Sequence, residues 1–205
     1  MVVSRAMGKT RLEAFSDGVL AIIITIMVLE LKVPHGDDLT ALEPLLPVLL
    51  GYVVSFIYVG IYWNNHHHML HAVRHVDGRS MWANLHLLFW LSLLPFVTGW
   101  VADNHAPLPT ALYGVVLLMA GIAWLLLKTA LIAANGRSSE LAVAVGRDLK
   151  GTVSAVVYTL AIGLAFVRAW MAQVLYVSVA LMWLVPDPRI ERTVAAKKGK
   201  GSGET

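Results

Sequence analysis

An acid, a hydroxyl and several imidazoles are set into an otherwise apolar chain of 205 residues, and any chemistry would have to come from them. Ser16 and Asp17 adjoin in the segment Arg11-x-x-x-Phe15-Ser16-Asp17-Gly18, while His66, His67, His68 and His71 crowd a second segment. A hydrolytic site could be drawn from Ser16, Asp17 and His67. It fails on geometry, because an acid adjoining the serine leaves a helix on another face and cannot orient the base that the serine needs. No catalytic residue is expected, and the chain does not read as an enzyme. His67 and His71 are four apart, a spacing that metal-binding helices use. No HExxH pattern accompanies them, and Asp77, the nearest acid along the chain, lies past the end of their segment. Neither a metal site nor a cofactor is expected. Histidine titrates near neutrality, so a pH-sensing role for the cluster stays open.

The elements that must position these residues are membrane spans. Apolar residues make up 58% of the chain and charged residues 14%, against roughly 45–50% and about 25% in soluble domains. Uncharged runs of 12, 30, 23, 24, 17 and 18 residues follow Asp17, Glu43, Arg79, Asp103, Lys150 and Arg168 in turn. A span takes about 17–25 predominantly apolar residues. The expected fold is an all-α bundle of six transmembrane helices, and the lipid bilayer is its first partner. Thr10-Arg11-Leu12-Glu13 reads as a capping box opening the first helix, which Pro34 and Gly36 stop near Leu31. The second helix is expected from about Leu42 to His71, and the third from Ser80 to Val101 with a kink or an end at Pro95. The fourth is expected from Thr110 to Ala134. After a polar, partly helical stretch from Asn135 to Lys150, the fifth (Thr152–Val167) and sixth (Ala169–Val185) follow. Residues 1–10 read as a cytoplasmic N-terminus, 11–186 as the membrane domain, and 187–205 as a basic, disordered cytoplasmic tail.

With the N-terminus inside, fourteen of the sixteen Lys and Arg fall on cytoplasmic segments, leaving Lys32 and Arg168 outside. The positive-inside rule therefore predicts a multi-pass protein with both termini cytoplasmic. The basic tail reads as a membrane flank rather than a nucleic-acid site. Asp17 interrupts the first apolar stretch, which does not read as a cleaved signal peptide. There is no cysteine, so no disulfide or thiolate site can form.

An ionised Asp17 facing lipid would cost a few kcal/mol, so it should face protein and find donors on other helices. That points to a polar packing lock, with direct contact to a moving ion as the alternative. At 100° per residue Ile22, Thr25, Ile26 and Leu29 form one stripe about 100° wide, and Asp17 lies roughly 140° from Ile22. Periodicity alone does not tell a packing stripe from a pore lining.

These segments resemble the transmembrane protein 175 family, the endolysosomal potassium channel and its prokaryotic relatives. The likeness rests on Arg11 with Phe15-Ser16-Asp17-Gly18 and then Ala21-Ile22 and Thr25. It continues in Tyr62-Trp63-Asn64-Asn65-His66-His67, then in Trp82-x-Asn84-Leu85 and Leu93-Leu94-Pro95-Phe96-x-Thr98. Asn64, His68 and His86 depart from the family pattern. The resemblance implies a potassium channel, a homotetramer of six-helix subunits in bacteria, with helix one around the axis and K+ as the permeant ion. It places the pore constriction at Ile22, with Ile26 and Leu29 further out, and ion contact at Thr25. Arg11, Phe15, Ser16, Asp17, Trp63, Asn65, His66, His67 and Asn84 become a helix-packing polar network in which histidines and asparagines supply Asp17 with donors. A prokaryotic member would sit in the plasma membrane. No Thr-Val-Gly-Tyr-Gly filter is present, so K+ over Na+ selectivity should be modest. Asp37 and Asp38 could raise cation concentration at the outer mouth or form an ordinary solvated loop. The rival reading is a secondary transporter, which would usually carry internal repeats and broken mid-membrane helices; no repeat is visible, and Pro95 is the one candidate break.

Overall fold

In the computed structural model, which describes residues 2–104, 106–136, 138–145 and 148–184, every element is helical. Helix α1 spans Val2–Leu29. It therefore starts ahead of the expected capping box, and residues 2–10 are part of the helix. No proline interrupts Val2 to Lys9, so nothing in that stretch stops a helix. The expected tail, residues 187–205, lies outside the described residues.

A 3-10 turn, Leu39–Leu45, precedes α2 (Leu46–His71). Asp38 caps this turn, its Oδ1 accepting from the Ala41 N–H at 3.2 Å and the Thr40 hydroxyl at 2.9 Å. Pro44 falls within the turn and Pro47 in the first turn of α2, where a missing N–H costs nothing. This delays the helix to Leu46. Asp77 then caps α3 (Gly78–Ser92), accepting from the Ser80 N–H at 2.8 Å and its hydroxyl at 2.7 Å. Those bonds hold its carboxyl below the usual carboxylate range.

The expected third span is two helices, α3 and α4 (Leu94–Asn104), broken at Leu93. Pro95 is the cause. It has no N–H to return to the Leu91 carbonyl, and its ring crowds that carbonyl, so the chain restarts with Pro95 in the first turn of α4.

Helix α5 (Pro107–Asn135) is the central post, packing on α3, α4, α7 and α8. Asn135 fastens its far end, accepting from the N–H groups of Arg74 (3.0 Å) and His75 (2.9 Å) and donating to the His75 carbonyl (2.9 Å). Gly136, with φ 90°, then takes the chain into a left-handed conformation that suits glycine. A short α6 (Glu140–Val145) leads to α7 (Leu149–Ala165) and α8 (Ala169–Leu184). Asp148 caps α7 through the Gly151 N–H at 2.8 Å and pairs with the buried ammonium of Lys128 at 2.6 Å.

Among the described residues, four helical segments are long and apolar enough to cross a membrane: Gly8–Leu29, Leu39–His71, Gly78–Asn104 and Pro107–Asn135. The apolar helices α7 and α8 have 17 and 16 residues. At 1.5 Å per residue they are about 24–26 Å long, a little under a hydrocarbon core of about 30 Å.

Candidate functional site

Helix α1 divides lengthwise. Leu12, Ser16, Leu20, Ile23 and Met27, spaced by four or three, are buried against the helices it packs on, α2, α3 and α4. On another face Ile22 is 57% exposed, Ile26 44% and Leu29 78%, with Thr25 exposed among them. The four residues of the predicted stripe thus share a face that the chain's own helices leave open. The Thr25 hydroxyl donates to the Ile22 carbonyl at 2.9 Å, so its hydrogen is committed to the helix and its lone pairs are free to accept. Ile22 and Ile26 also border an open groove of about 430 Å³, whose other wall is Ser92, Pro95 and Phe96 at the α3–α4 break.

The polar residues resolve into three groups rather than one network. In the buried group, Asn84 Nδ2 donates to Ser16 Oγ at 2.9 Å, and Ser16 donates to the Leu12 carbonyl at 2.8 Å. Because Ser16 has already given its hydrogen, it must accept from Asn84, which fixes the amide with its oxygen toward His66. His66 Nε2 lies 2.8 Å from that oxygen and so carries the proton. The result is one directed chain, His66 to Asn84 to Ser16 to backbone, across α2, α3 and α1. His66 Nδ1 is left buried without a partner among the described residues.

The second group differs from the sequence expectation. Asp17 takes its hydrogen bond from the Trp63 indole at 3.0 Å, not from a histidine or an asparagine. One residue of helix turns a side chain by about 100°, so Asp17 leaves the face on which Ser16 meets Asn84 and reaches a different side of α2. Asn65 bonds the Ile61 carbonyl of its own helix at 2.8 Å. Arg11 and Phe15 are exposed, and among the described residues neither joins the buried chain.

The third group was not foreseen. His67 Nδ1 lies 3.2 Å from Glu13 Oε1 and His71 Nδ1 3.7 Å from the same oxygen, with the two rings 4.4 Å apart. Linear distance had made Asp77 the nearest acid. A signal was nevertheless present: Glu13 lies near the start of the first apolar span (Gly8–Leu29) and His67 and His71 near the end of the next (Leu39–His71), and adjacent antiparallel spans bring such ends to one depth. A further set of hydroxyls escaped sequence reading. Ser55 bonds Thr98 at 2.7 Å and Tyr113 at 2.9 Å, Tyr58 donates to the Tyr176 carbonyl at 2.6 Å, and Tyr158 donates to Tyr58 at 3.3 Å.

A family described as "Endosomal/lysosomal potassium channel TMEM175" matches residues 11–95, the stretch holding all three polar groups and the sequence motifs as far as Pro95. A potassium channel of Chryseobacterium sp. (strain P1-3) is 52% identical over 189 residues, covering 92% of this chain and 98% of the relative. A potassium channel of Streptomyces collinus (strain DSM 40733 / Tue 365) is 34% identical over 179 residues, covering 78% and 83%. Among solved structures, the crystal structure of a lysosomal potassium-selective channel TMEM175 homolog from Chamaesiphon minutus superposes with a TM-score of 0.75 at 28% identity. That match covers 87% of this chain and 97% of the solved one.

Proposed function

The chain belongs to the TMEM175 family of ion channels, not enzymes, and from that premise we propose that it is a potassium channel whose pore is lined by α1. Family membership and its apolar helices make it a multi-pass membrane protein. The observation that carries the pore assignment is the open face of α1, where Thr25 sits among Ile22, Ile26 and Leu29. An acceptor oxygen among apolar side chains gains nothing against lipid tails, but it can replace water on a passing cation.

The assembly is a homotetramer with α1 of each subunit around the axis. Four copies of Ile22 narrow the path to a hydrophobic constriction that closes by dewetting, with Ile26 and Leu29 further outward. The Thr25 hydroxyls contact partly dehydrated K+, which gives up water more readily than Na+, so selectivity is real but modest. Ser16, Asn84, His66 and the Trp63–Asp17 pair set the pitch of α1 against α2 and α3. Helices α7 and α8 complete six spans. They are short, but Lys150 at the start of α7 and Arg168 between the two mark the membrane surfaces and can snorkel. An even number of spans places both termini on one side, and the basic residues make that side cytoplasmic.

The test is passive flux from liposomes holding the purified protein, with K+ and Na+ gradients in parallel. The expected result is K+ flux exceeding Na+ flux without added solute. Saturable, ion-coupled solute uptake with no ionic current would replace this reading with a secondary transporter, for which the break at Leu93 would be the hinge.

A further inference from the structure

We infer that Glu13, His67 and His71 form a binding site for a borderline divalent transition ion of the Zn2+ class, joining α1 to α2. The ligand atoms of the three residues lie within 4.8 Å of one another. In a tetrahedral site with metal–ligand distances near 2.0–2.1 Å, ligands sit about 3.3–3.5 Å apart. The two nitrogen-to-carboxylate separations, 3.2 and 3.7 Å, bracket that value. Both imidazoles present Nδ1 toward the carboxylate, and His67 and His71 lie one turn apart on one face of α2. Closing the site therefore needs the side chains alone to adjust, the two imidazoles, within 4.8 Å of one another at their ligand atoms, drawing together on one helix face. Two imidazoles and a carboxylate select transition ions over Mg2+ or Ca2+, which want oxygen ligands.

The side chains of His67 and His71 are 40% and 65% exposed, while Glu13 is 20% exposed. An ion can thus enter from solvent and keep water on its remaining position. That exposure also separates this cluster from the buried His66–Asn84–Ser16 chain, which leaves α2 on another face. The site draws one ligand from α1 and two from α2, so occupancy staples α1 to its neighbour. A staple on the helix assigned to the pore should slow K+ flux; this consequence rests on the channel reading, whereas the site itself does not.

The direct experiment uses tag-free, full-length protein in detergent. It is loaded with Zn2+, freed of excess metal by gel filtration and assayed for metal per chain, with Co2+ absorption spectra as a second readout. One ion per chain is expected, together with a Co2+ spectrum in the four- or five-coordinate range. Glu13→Gln and His71→Ala should each weaken binding more than about tenfold, since even outer-shell partners are worth 10–100-fold. His68→Ala, which alters a neighbouring exposed histidine, should bind like the parent. His71 is exposed near the end of α2, so its variant is expected to fold; an unchanged gel-filtration profile checks this. No stoichiometric retention by the parent protein would overturn the proposal, as would equal retention in all three variants. In liposomes, Zn2+ should reduce K+ flux in the parent but not in His71→Ala. Equal sensitivity of the two would overturn the staple, and absence of any K+ flux would overturn the channel reading while leaving the binding result to stand.

Discussion

Near one end of the bundle, Ser16, Asn84 and His66 run a single directed hydrogen-bond chain through α1, α3 and α2. Elsewhere Ser55, Thr98 and the tyrosines at 58, 113, 158 and 176 tie α2 to α4, α5, α7 and α8 at several points. The first region fastens α1 beside its Phe15-Ser16-Asp17-Gly18 segment. Beyond Gly18, among the described residues, no side-chain hydrogen bond crosses from α1 to another helix as far as Leu29, and Leu20, Ile23 and Met27 hold it by apolar contact. Apolar contact is non-directional, and hydrogen bonds fix register. The difference makes α2, α4, α5, α7 and α8 a frame and leaves α1 pinned at Ser16, with the stripe that carries Ile22 held beyond it by apolar contact alone.

Breaking the frame should have the largest effect on stability. A Cβ at Gly114 would collide with the Tyr176 hydroxyl and press on Ile162, so Gly114→Ala should destabilise the protein by about 1–3 kcal/mol. Its melting temperature in detergent should fall, and ion preference in the surviving protein should not change. Next comes the pin. Asn84→Leu strands the His66 N–H and removes a donor from Ser16, a loss of about 1–2 kcal/mol where buried polar partners are hard to replace. Unlike the frame variant it should also alter K+ flux, because α1 loses its register; unchanged flux in an intact assembly would remove the distinction between the two regions.

The smallest effect is expected outside both regions, at the cap of α3. Asp77→Ala should cost about 0.5–1 kcal/mol near neutral pH. The Ser80 bonds lower the Asp77 carboxyl in the folded protein, so this stability is present above its unfolded value and vanishes as pH falls through the folded one. Parent and variant melting curves should converge in acid.

The two regions were unequally legible in the sequence. Runs of uncharged residues announce long helices, and Pro95 announces the break at Leu93, because a missing N–H acts locally. Ser16, His66 and Asn84 could be named as partners through a resemblance, but their pairing could not. That Asp17 goes to Trp63 while Ser16 goes to Asn84 depends on how α1 is rotated against two other helices. The frame was invisible, because Tyr58 and Tyr176 are 118 residues apart and a tyrosine in an apolar run gives no hint of its acceptor. Glu13 was visible in the sequence as the acid of a capping box. Its contact with His67 and His71 follows from the middle of α1 lying beside the last turns of α2, a property of the packing rather than of either segment.

Ile22→Asn in liposomes tests the central claim, that the open face of α1 lines the ion path, most directly. A polar amide at the narrowest ring should hydrate it, and K+ flux should rise or selectivity over Na+ should fall relative to the parent. Parent-like flux and selectivity in a properly assembled Ile22→Asn protein would contradict the account and place Ile22 away from the pore.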